Sequence, residues 1–117
     1  MKLIELKNTS EYLTQDKYFQ KLKDQLSKDF NDLDFDQELE PIKIDRSNDL
    51  PILVNRFLNE LFSKSGEQFF QLMYKIDIPD ADMKNQVLES GIDIDALSEL
   101  VLKRELLKIL LREKYSS

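Results

Sequence analysis

Residues 50–62 read Leu50-Pro51-Ile52-Leu53-Val54-Asn55-Arg56-Phe57-Leu58-Asn59-Glu60-Leu61-Phe62. Leu50, Leu53, Val54, Phe57, Leu58, Leu61 and Phe62 recur at steps of three and four. That spacing draws a single apolar stripe down a 3.6-residue helix. Pro51 suits a first helical turn, and Leu50 before it is steered away from helical angles. The spacing predicts a helix over 50–64 that forms the centre of the core.

Working outward toward the C-terminus, Gly66 marks a joint. Ser65 with Gln68 resembles a capping box for a helix over 66–77. Phe69, Leu72, Met73 and Ile76 line its inner face, with Phe70 and Tyr74 beside them. Pro79 opens a fourth helix over 79–90, with Val87 and Leu88 facing inward. Gly91 followed by Ile92 reads as its stop. Asp93 or Asp95 then caps a fifth helix over 95–114.

Toward the N-terminus, a helix is expected over 10–32. Phe19, Leu22, Leu26, Phe30 and Leu33 share one face, and Lys17, Lys21, Lys23, Asp24 and Lys28 fill the wet side. Residues 33–49 break the period, and Pro41 interrupts any helix there. They read as a long acidic connector, with a short strand at Ile42 to Ile44. Pairing of that strand with Leu3 to Leu6 would be a minor feature, since an isolated two-stranded unit is marginal. The expected architecture is all-α, a single domain over 1–117 made of about five helices.

Composition agrees. The chain has 117 residues, which fits one domain with one hydrophobic core. Apolar residues are 41% and charged residues 34%, a globular mixture. Two Gly and three Pro are few for a sandwich or barrel full of tight turns. There is no Cys, hence neither disulfide nor thiolate chemistry. The N-terminal stretch lacks the apolar core of a signal peptide. The longest apolar run, Leu50 to Val54, falls far short of the roughly 20 residues a membrane span needs. A cytoplasmic protein is expected.

The net charge is −6, and residues 29–49 carry that much by themselves, with eight acids against two bases. An acidic whole repels phosphates, so nucleic acid is not an expected partner. Residues 103–114 hold five bases against two acids. These cations gather on no clean face, and they suit a helix C-terminus. Neither a nucleic acid nor a membrane partner is read from them.

Most reaction chemistries lack their residues. There is no His, which removes the commonest general base and metal ligand. Serine and cysteine triads are excluded with it, as are zinc sites built on Cys and His. Two isolated glycines cannot cradle phosphates. Asp32-x-Asp34-x-Asp36 resembles the opening of a calcium loop. Gln37 then stands where that loop wants Gly, and Lys43 where it wants Glu. Asp80-x-Asp82 and Asp93-x-Asp95 read as helix starts. No enzyme activity, cofactor, metal or small-molecule ligand is expected.

The fifth helix has two apolar sectors. Rotation by about 100° per residue puts Leu97, Leu100, Val101, Leu107 and Leu111 on one side. Leu102, Leu106, Ile109 and Leu110 lie opposite. Either this helix is sandwiched within its own domain, or one sector meets a second chain. The second arrangement makes Leu102, Leu106, Ile109 and Leu110 the leading candidate surface for a protein partner. Self-association as a homodimer is its simplest form. A second candidate is the connector. Asp32, Asp34, Asp36, Glu38 and Glu40, mixed with Leu33, Phe35, Leu39 and Ile42, fit an acidic binder of a basic protein, as inhibitors, antitoxins or immunity proteins are.

Overall fold

The computed structural model describes residues 9–88 and 91–115. In chain order the elements are α1 (Thr9–Leu13), α2 (Asp16–Phe30), α3 (Leu33–Leu39), a 3-10 turn (Ile44–Arg46), α4 (Asp49–Lys64), α5 (Gly66–Ile76), α6 (Asp80–Asn85), β1 (Val87–Leu88), β2 (Gly91–Ile92) and α7 (Ile94–Tyr115). The domain is all-α. Among the described residues its sheet is a two-residue antiparallel pair, with Val87 opposite Ile92 and Leu88 opposite Gly91.

The expected stripe of 50–64 forms. Leu50, Leu53, Val54 and Leu58 of α4 are buried, with Phe57, Leu61 and Phe62 half-buried at its edges. The Ser65 hydroxyl accepts from Gln68 N at 3.2 Å and starts α5. Asp93 does the same for α7, with Oδ1 accepting from Ala96 N at 3.0 Å. Each hydroxyl or carboxylate satisfies a backbone donor that the helix leaves without an internal acceptor.

The helix expected over 10–32 is two helices. At the break the Thr14 hydroxyl and Gln15 Nε2 both donate to the carbonyl of Glu11, at 2.9 and 3.2 Å. Gln15 turns extended. Side chains compete here for a carbonyl the helix would have used. Asn31, at positive φ, then closes α2.

The connector over 33–49 is folded rather than irregular. Asp32 caps α3, its Oδ1 accepting from Phe35 N at 2.9 Å. Phe35 and Leu39, one turn apart, are buried. Phe35 stacks at 4.5 Å on Phe30 and 5.0 Å on Phe57, centroid to centroid, which ties α3 to α2 and α4. The strand expected at Ile42 to Ile44 does not form: Ile42 N donates to Leu39 O in a turn, and Ile44 opens the 3-10 turn. Its proposed partner, Leu3 to Leu6, lies outside the described residues. Lys23 belongs to the interior rather than the wet side. Its ammonium donates to the carbonyls of Glu40 at 3.2 Å and Ile42 at 2.8 Å, fastening the chain beyond Pro41 onto α2.

The fourth helix stops at Asn85 instead of reaching 90. Gly91 is not a helix stop. Its φ of 131° places it in a region that favours glycine, and it opens β2. The inward placement read for the Val87 and Leu88 side chains lies outside what is described.

α7 is the central element and packs against α4, α2, α5 and α1. No helix among the described residues is long and apolar enough to cross a membrane.

Candidate functional site

Both apolar sectors of α7 are used up by the fold. Leu97, Val101 and Leu107 of the first are buried, with Leu100 and Leu111 half-buried. Leu102, Leu106 and Ile109 of the second are also buried, and Leu110 is half-buried. Three of these four are thus enclosed by the chain itself, while Leu110 keeps part of its surface open. A helix with neighbours on several sides needs apolar residues all round, and that need explains the second sector.

The acidic candidates divide. Asp32, Asp34 and Glu38 line a groove between α3 and α4, facing Glu60 of α4. Phe35, Phe57 and Leu61 supply its apolar surface, and Lys64 and Gln68 also line it. Its volume is about 160 Å³. Leu33, between Asp32 and Asp34 in sequence though not in the groove's lining, is 80% exposed, an unusual position for a large aliphatic at the head of a helix. Glu38 is met by Arg56 at 2.5 Å, an exposed ion pair across the two walls.

Asp36 and Glu40 are not brought to this groove. Asp36 is half-buried, and its Oδ1 has no hydrogen-bond partner among the described residues. Glu40 sits exposed at the end of α3, where its backbone carbonyl holds Lys23. The reason is helical geometry. Residues two apart on a helix point to different sides, while Asp34 and Glu38, four apart, share one. The same geometry undoes the calcium-loop resemblance, because Asp32 is spent as a helix cap. Among the described residues no group of three or more acids gathers to hold a metal ion.

Chemically the groove offers carboxylates above aromatic and aliphatic surface. It suits a long cationic side chain, whose charge meets acid while its stem covers apolar carbon. An apolar neighbour in the same ligand could rest on Leu33.

A second polar constellation escaped the sequence reading. Between α2 and α7, Asp29, Glu105 and Lys108 meet within a buried seam. Lys108 Nζ lies 2.8 Å from both Asp29 Oδ2 and Glu105 Oε1. Gln25 Nε2 donates to Asp29 Oδ2 at 3.0 Å, and Arg112 Nη2 donates to Gln25 Oε1 at 2.8 Å. Burial drives the Glu105 carboxyl up to about 8; Lys108 works against that rise and Asp29 adds to it. Burial also acts to raise Asp29, but hydrogen bonding to Lys108, Glu105 and Gln25 outweighs it and holds Asp29 below its usual value. One signal was on the page. Asp29 falls seven residues after Leu22, on the buried stripe of α2, and Glu105 lies in a narrow polar strip of a helix otherwise apolar all round.

No known protein family matches the chain, and no curated protein or solved structure matches it either. The geometry alone carries the functional reading.

Proposed function

We propose that this chain is a non-catalytic binding module that captures a basic protein through the α3–α4 groove. One observation carries the reading: Asp32, Asp34, Glu38 and Glu60, four acids against the one base Lys64, line a groove together with Phe35, Phe57, Leu61 and Gln68. The occupant is a segment bearing Arg or Lys next to an apolar residue. Inhibitor, antitoxin and immunity proteins work in this manner, by covering a basic surface. The enclosure of the second α7 sector favours this reading over docking through Leu102, Leu106, Ile109 and Leu110. The lack of Cys supports the cytoplasm as its compartment.

The test reverses charge without disturbing the helix cap. Asp34 and Glu60 are exposed, so Asp34→Lys with Glu60→Lys should fold normally. A labelled peptide of alternating Arg and Leu should bind wild type and lose at least about tenfold in affinity on the double variant, roughly 1.4 kcal/mol. Proteins captured from native extract by wild type should elute with salt and be missing from the variant, because exposed charges are screened. Equal peptide affinity and an identical captured set on the variant would remove the proposal.

A further inference from the structure

The Asp29–Glu105–Lys108 seam takes no part in the proposed groove. Glu105 is 0% exposed, and Asp29 is buried. Two carboxyl groups and one ammonium meet here, Glu105 fully enclosed and the Lys108 side chain 21% exposed at the edge. One cation balances one carboxylate, and a second charge left over in such a place is costly. As a carboxylate, Glu105 has only acceptor sites: Lys108 Nζ stands 2.8 Å from Oε1, and Oε2 meets no donor among the described residues. As an acid it gains an O–H, and Asp29 beside it is the acceptor. The charged groups acting on Glu105 are Asp29 from α2 and Lys108 from its own helix; no described residue of α1, α4 or α5 contributes. Arg112 reaches the cluster only through Gln25.

We propose that this trio is a proton-operated latch: a proton on Glu105 clamps α7 to α2, and its loss loosens that seam. The rest of the chain makes the latch conspicuous. With no His and no Cys, no side chain of ordinary pKa titrates between the carboxylates and the tyrosines and lysines. Glu105 titrates near 8 in the folded chain, against 4.5 as its ordinary value. Its folded pKa is raised, so its contribution to stability is full below about 4.5 and is lost as pH rises through about 8. The latch is thus closed in acid and open in mild alkali.

Urea unfolding of the full chain at pH 6 and pH 9 tests this. The folding constant of wild type should fall by about a hundredfold between these values. Glu105→Gln keeps the shape, carries no charge and should change by less than about threefold. A parallel fall in both proteins would overturn the latch, as would a flat wild type. If Glu105→Gln does not fold, the wild-type chain decides alone through the ¹³C resonance of the Glu105 carboxyl. A midpoint near 8 supports the proposal, and one near 4.5 overturns it. Amide exchange in α2 and α7, corrected for intrinsic rates, should quicken across the same midpoint; unchanged protection would overturn the loosening.

Discussion

Asp32 has two roles at once, and they separate by substitution. Its Oδ1 accepts the Phe35 amide and so starts α3. Asp32→Ala should cost about 1 kcal/mol in urea unfolding, the usual value of a lost cap. Asp34→Ala, at an exposed position one residue inside the helix, should stay within about 0.5 kcal/mol. Both should weaken binding of a cationic peptide. Leu33→Ala makes the sharper contrast. At 80% exposure it should leave stability almost unchanged while lowering affinity. Lys23 is the counterpart in the interior. Its ammonium holds two carbonyls of the segment after α3, and burial lowers its pKa against the pull of Glu40 and Asp24. Lys23→Ala should destabilise the chain by about 1–3 kcal/mol, as expected for charge-assisted hydrogen bonds. A loss below about 0.5 kcal/mol would show that the fastening is not needed.

α7 shows why a pattern can be read correctly and its use misread. Its two apolar sectors were plain in the sequence, yet whether a second sector faces the chain itself or another chain depends on how many helices surround it. That number comes from tertiary packing, not periodicity. Leu106 is fully buried, so Leu106→Ala should cost about 2–5 kcal/mol in the isolated chain; a nearly neutral change would reopen the docking reading. α4 and α5 were legible because stripe, cap and joint agree over a long stretch. α3 was hidden because it is only about two turns long, and the acids between Phe35 and Leu39 masked their four-residue spacing. The break at Thr14 and Gln15 depended on side chains competing for one carbonyl, which no apolar pattern records. The last turns of α7 make a further prediction. Glu113 accepts from Lys21 at 3.0 Å and pairs with Lys17 at 2.9 Å, and hydrogen bonds from these lysines bring its carboxyl down to about 2. A lowered folded pKa means this tie is present above about pH 4.5 and lost as pH falls toward 2. Amide protection in residues 110–115 should therefore fall in acid and in high salt. Unaltered protection there would remove the tie between α7 and α2.

Across the whole molecule, four of the eight acids at 29–49 are put by the fold to three uses. Asp29 goes into the α2–α7 seam, Asp32 into a cap, and Asp34 and Glu38 into the groove. The last set lines one groove with Glu60, and the clustering in sequence could not say which acids these would be. Once three-dimensional, the same charge predicts salt-sensitive association that is fastest at low ionic strength. Mapping amide chemical shifts of the full chain during titration with the Arg–Leu peptide tests the central claim most directly. The largest changes should fall on residues 32–38 and 57–64, with 102–110 quiet. Largest changes on 102–110, or none at the groove at saturating peptide, would contradict it.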